Sequence, residues 1–157
     1  MYDNTTIMHA SRTGNLALLK AFIDIKGSIN FQDDKGYTPL IIACYNNRYD
    51  AAKLLLESGA NVDAQDFGGN TALMGVSFKG YPEIAKVLLE YGADIDLQHG
   101  NGGTALMFAA MFGRNELVKI LVAHGADRSL TDARGLTVFD LAAQQGNEEA
   151  ILILEQY

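Results

Sequence analysis

Few side chains in this sequence are of kinds that do chemistry, and their placement argues against a reacting centre. The histidines are His9, His99 and His124, and the one cysteine is Cys44. A metal site or a nucleophile–base pair needs such groups to converge, and no H-E-x-x-H or C-x-x-C spacing occurs. Asp94 and Asp96 could pair as general acid and base. Asn61 and Asp63 hold the same places earlier in the chain, however, and a recurring feature of this kind is scaffold. Gly100-Asn101-Gly102-Gly103 resembles a phosphate loop, but no lysine follows it. A haem carrier using Tyr45, His99 or Met111 as axial ligand would need two of these groups to meet, and nothing in the sequence brings them together. The expectation is a non-enzymatic protein with no cofactor and no metal, whose function lies in its surface.

The elements that shape this surface are short helices. In Gly103–Ala126, GTALMFAAMFGRNELVKILVAHGA, Thr104 can cap a helix with its hydroxyl, and Leu106, Ala109, Ala110 and Gly113 share one side of it. Gly113-Arg114-Asn115 breaks that helix. A second runs from Glu116 to Ala123 with Leu117, Ile120 and Leu121 as its apolar stripe, and Gly125 ends it. Such a hairpin cannot bury its own faces, and the same chain supplies its neighbours. Thr38, Thr71, Thr104 and Thr137 stand 33 residues apart, with Thr5 continuing the series backwards. Leu40, Leu73 and Leu106 keep that spacing, as do Gly14, Gly80, Gly113 and Gly146, where Asn47 substitutes. A fixed period in so many columns is the mark of a solenoid.

The repeated segments DDKGYTPLIIA from Asp33, DFGGNTALMGV from Asp66, HGNGGTALMFA from His99 and DARGLTVFDLA from Asp132 resemble the ankyrin-repeat family. The resemblance covers nearly all of the 157 residues. It implies an all-α solenoid: five stacked helix-turn-helix repeats joined by β-turn fingers, in which Asp33, Asp66 and Asp132 accept backbone N–H bonds. The family's histidine after T-P-L is replaced by Ile41, Met74, Met107 and Asp140, so its polar link between repeats is either absent or rebuilt. One domain is expected, with an N-terminal capping repeat at 1–32, repeats at 33–65, 66–98 and 99–131, and a C-terminal capping repeat at 132–157. In the first repeat the helices read as Thr5–Thr13 and Leu16–Ile25, with an irregular end because Lys26 stands where later repeats have glycine. Cys44 falls in a core-facing column, and Gly75 is a mismatch inside a helix.

A net charge of −7 argues against nucleic acid, which demands a basic stripe. The single cysteine excludes an internal disulfide framework, and no apolar run reaches membrane-spanning length. The opening MYDNTTIMHASRTG has neither a basic start nor an apolar stretch, so a cytoplasmic monomer is expected. On the first helices, the positions seven and eight places after the threonine point away from the core. They place Tyr45, Asn46, Phe78, Lys79, Met111 and Phe112 in a row, flanked by the finger residues Tyr37, Phe67, Asn70 and Arg134. Exposed aromatics in register have the composition of a protein-binding hot spot. Asp34, Asp66, Asp94, Asp127 and Asp132 add negative potential nearby, favouring a partner with a basic-rimmed apolar patch. The chain also resembles short bacterial proteins built of ankyrin repeats alone. Such a resemblance implies an immunity protein that inhibits a toxin or effector, or an accessory factor of a catalase.

Overall fold

The computed structural model describes residues 3–156, so the outer ends of the first and last repeats, at Met1 and Tyr157, lie outside the described residues. The described residues form ten helices in five pairs: α1 (Asn4–Thr13) with α2 (Leu16–Asp24), α3 (Pro39–Tyr45) with α4 (Tyr49–Glu57), α5 (Ala72–Lys79) with α6 (Pro82–Glu90), α7 (Ala105–Met111) with α8 (Asn115–Ala123), and α9 (Val138–Gln144) with α10 (Glu148–Gln156). The first helices of successive pairs pack in one row and the second helices in another. Among the described residues there is no strand. This is an all-α solenoid of five stacked helix-turn-helix repeats.

The period in the sequence works through helix caps. Thr38, Thr71, Thr104 and Thr137 each hold extended backbone, and each side-chain oxygen accepts the N–H three residues on. Pro39 and Pro82 take first-turn positions, where the missing N–H has no intrahelical partner to lose. The first repeat departs from the pattern: Thr5 lies inside α1, and Asp3 caps it by accepting the Thr6 N–H at 3.0 Å. The Thr5 hydroxyl donates to that same carboxylate at 2.7 Å, so the stronger acceptor two places earlier lengthens the helix.

The irregular end expected at Lys26 is not found. Lys26 itself takes the left-handed conformation, φ 56°, and the Gly27 N–H donates to the Phe22 carbonyl at 3.1 Å. The Ala60 N–H does the same to Leu55 at 3.0 Å, so the first repeat closes as the later ones do. Left-handed backbone costs a non-glycine residue about 1–2 kcal/mol, of which glycine's greater unfolded freedom returns part. Lys26→Gly should therefore raise the unfolding free energy by about 0.5–1 kcal/mol in urea titration. A loss of stability would show that the lysine carries no backbone strain.

Between the layers, one column of the second helices, Phe22, Leu55, Leu88, Leu121 and Leu154, is at most 2% exposed. Ile7, Leu40, Leu73 and Leu106 do the same for the first helices, while Phe139 in the last pair is half-buried. Cys44 is fully buried, and burial pushes its thiol pKa far up, so it packs as a small apolar side chain. The Ser11 and Ser77 hydroxyls in the same column donate to the carbonyls of Ile7 and Leu73, each at 2.7 Å.

Polar links between repeats are rebuilt without the family's histidine. Fingers join edge to edge: the N–H groups of Phe67, Gly100 and Ala133 donate to the carbonyls of Lys35, Gly68 and Asn101 at 3.1, 3.0 and 2.9 Å. Gln32 and Gln98 reach the carbonyls of Gln65 and Thr131. The side chains of Asn30, Asp63 and Asp96 accept the N–H of Asn61, Asp94 and Asp127 in the next repeat, each at 2.8 Å. Asp94 and Asp96 are thus seam residues. Arg48 and Arg114 donate through Nε to the carbonyls of Arg12 and Phe78 in the repeat before, each at 3.0 Å.

Candidate functional site

Where the first helices meet the fingers, short elements leave their outward residues uncovered. Each first helix is only seven to ten residues long, and its last turn carries outward residues beside buried ones. Tyr45, Phe78 and Phe112 stand there as one chain of rings. The Tyr45 and Phe78 planes lie 5° apart at a centroid distance of 6.4 Å, and Phe112 meets Phe78 edge-on at 4.6 Å and 73°. Lys79 Nζ lies 4.7 Å from the Tyr45 centroid, a cation over a ring face. Tyr45 and Phe112 keep 43% and 44% of their surface exposed, while Phe78 and Met111 are half-buried.

Two grooves open beside this strip. The first, about 350 Å³, has Tyr37, Tyr45, Asn46, Asn70 and Phe78 among its lining residues, together with Asp66 and Gly75. The second, about 400 Å³, takes in Met111 and Arg134 with His99, Phe108 and Asp132. Tyr45 therefore sits in one groove and His99 and Met111 in the other. Of the sequence-expected residues, Lys79, Phe112 and Phe67 line neither. Phe67 stands 71% exposed on its finger, with its ring over Gly36, where an added Cβ would lie 2.8 Å from it.

Two residues matter here that reasoning from period passed over. Phe108 borders both grooves and packs its ring on His99 at 5.0 Å. It stands four places after its threonine, on the outward side of α7 that carries Met111. Gly75 holds the equivalent place, and a Cβ there would come within 3.3 Å of the Tyr45 ring. The glycine that reads as a mismatch inside a helix is what admits Tyr45 to the groove.

In three of the four fingers an aspartate organises the turn, and His99 takes its place in the other. Asp33 Oδ1 accepts the N–H of Lys35 and Tyr37, both at 2.9 Å, and Asp66 and Asp132 repeat the arrangement. The Leu136 N–H, above all, holds the Asp132 carboxyl below the ordinary aspartate range; burial opposes this, and Arg134 adds to it. Bonds from the Ser129 hydroxyl and N–H lower Asp127 likewise. A folded pKa below the unfolded one stabilises the protein above the ordinary carboxylate range, and this is lost as pH falls through the folded value. An NMR titration should place the Asp132 midpoint below that of an unperturbed aspartate, and Arg134→Ala should raise it. A midpoint at or above the ordinary value would refute the assignment.

Comparison with known proteins agrees with this architecture. The model for ankyrin repeats (3 copies) matches residues 7–99 and 73–157. A palmitoyltransferase akr1 from Emericella nidulans is 39% identical over 56 residues, which is 35% of this chain and 8% of that protein. A palmitoyltransferase akr1 from Aspergillus oryzae is 43% identical over 56 residues, with the same shares. These matches span less than a tenth of either relative, so the transferase activity in their names stays with those proteins. Among the described residues no helix is long and apolar enough to cross a membrane. Capped helix pairs, edge-bonded fingers and a model match over most of its length lead to one assignment: the chain belongs to the ankyrin-repeat family.

Proposed function

We propose that this chain is a non-enzymatic, monomeric protein-binding module, a single domain that grips a partner protein through its first helices and fingers. The observation that carries the reading is the ring series Tyr45–Phe78–Phe112, two of its members more than two-fifths exposed, with a groove beside it. Exposed rings cost solubility and contribute little to a fold that is already filled by its leucine columns. At an interface, aromatic anchors of this kind supply most of the binding energy. A stacked solenoid presents them preformed, so little ordering entropy opposes binding.

The test is selection from a phage-displayed peptide library on the native protein, followed by measurement on the variant Tyr45→Ser/Phe78→Ser/Phe112→Ser. Selected peptides should bind the variant about a hundredfold more weakly, corresponding to about 3 kcal/mol lost across three anchors, with far-UV circular dichroism unchanged. Peptides that bind both proteins equally would place the interface elsewhere.

Inhibition of a toxin or effector is the finer role that the charge favours. Net charge is −7, and Asp34, Asp66 and Asp132 stand on the fingers, a rim suited to masking a basic cleft. A Soret shift on haem titration would favour the accessory role beside a catalase instead.

A further inference from the structure

The two grooves stand at equivalent places two repeats apart and share an aspartate, but their walls differ. Ile41 and Ile42 in the first occupy the places of Met107 and Phe108 in the second, Gly75 that of Leu141, and Asp66 that of Asp132. Both aspartates commit Oδ1 to two N–H groups of their own finger. They differ at Oδ2. In the second groove Arg134 donates to it through Nη2 at 2.9 Å and Nε at 3.2 Å. In the first groove the place of Arg134 is taken by Gly68, and Asp66 Oδ2 receives the Asn70 amide at 3.3 Å, which that amide shares with Oδ1. A carboxylate oxygen so weakly served has capacity for a charged donor.

The remaining walls suit a flat cation. Tyr37, Tyr45 and Phe78 line the groove with aromatic rings, Ile42 and Met74 add apolar surface, and Gly75 adds no side chain. Tyr45 already attracts Lys79 Nζ to 4.7 Å. Arginine fits better than lysine, because a guanidinium forks onto a carboxylate and also stacks on a ring. Within the second groove the protein's own Arg134 supplies the carboxylate half of such a contact.

We infer that the first groove receives an arginine side chain of the partner protein, with its guanidinium on Asp66 Oδ2 and its flat face against Tyr45 and Phe78. The identity of the occupant as part of a protein rests on the binding reading above; the chemistry of the groove does not.

The test is an NMR titration of the intact chain with N-acetyl-L-argininamide, against N-acetyl-L-citrullinamide, which has the same shape without the charge. The arginine probe should give saturable shifts at the amides of Gly68, Asn70 and Gly75, with a dissociation constant of about 1 mM. The citrulline probe should bind about tenfold more weakly. Asp66→Asn keeps the Oδ1 acceptor that shapes the turn and should weaken the arginine probe by a similar factor. Gly68→Arg, which reproduces the arrangement at Arg134, should abolish binding by filling the site from within. Equal binding of both probes, an unchanged constant in Asp66→Asn, or shifts centred on another face would each overturn the inference. Library peptides that need the ring series but carry no arginine, with no response to the probe, would overturn this inference alone. A normal probe response with no peptide that needs the rings would overturn the docking reading and leave this one standing.

Discussion

Leu88→Ala should lower the unfolding free energy by about 3–4 kcal/mol, read from urea unfolding followed by circular dichroism. Leu88 is fully buried on α6, in the middle of the column Phe22, Leu55, Leu88, Leu121 and Leu154. Helix α6 packs on α5 within its own pair and on α4 and α8 to either side. Truncation removes the transfer free energy of the lost methyl groups and leaves a cavity that rigid neighbours on three sides cannot close. In a stack where each unit touches only the next, damage in the middle weakens two interfaces at once. Leu154→Ala, on α10, should cost less because, among the described residues, that helix packs mainly on α8 and α9. Equal costs, or a loss below about 1 kcal/mol at Leu88, would contradict the description of the core as one continuous column.

Gly102→Ala should cost about 3 kcal/mol, and Gly135→Ala only about 1 kcal/mol, although both glycines are left-handed. Their φ values are 83° and 81°, so backbone strain is the same at the two sites. The difference lies in the next finger. A Cβ on Gly102 would come within 2.9 Å of the Ala133 nitrogen and the Asp132 Cα, whereas one on Gly135 meets nothing within 4 Å. The substitution would push the two fingers apart and break the bond from the Ala133 N–H to the Asn101 carbonyl, now 2.9 Å. Chemical denaturation of both variants measures the difference directly. Matching losses would mean that finger-to-finger contact contributes nothing beyond turn conformation.

Much of this was legible in the residue order, because the features that set it are local. A threonine cap acts within three residues, a left-handed glycine within one and a finger aspartate within four, so each leaves its trace at a fixed place in every repeat. The outward position of Tyr45 and Phe112 followed from the helical period alone. What escaped depends on how one repeat approaches the next. Phe108 lies on the same outward side as Met111, but that it borders two grooves depends on residues of the neighbouring repeats. Asp63 and Asp96 read as recurring scaffold residues; that each accepts an N–H from the following repeat requires the rise between repeats, which no single repeat contains. Lys26 shows the opposite failure, in which an unfavourable residue was read as a break although the packing of Phe22 holds the chain in place.

The seam bonds recur at one pitch, and this makes the chain divisible. Excising residues 66–98 would bring Asp63 opposite the Asp127 N–H in place of Asp96, and Arg114 opposite the carbonyl of Tyr45 in place of that of Phe78. Every junction would find an equivalent partner, whereas removal of a single finger residue would throw all later partners out of step. The reach of the gripping surface is therefore a matter of copy number, and it can be lengthened or shortened by whole units without redrawing any joint between them.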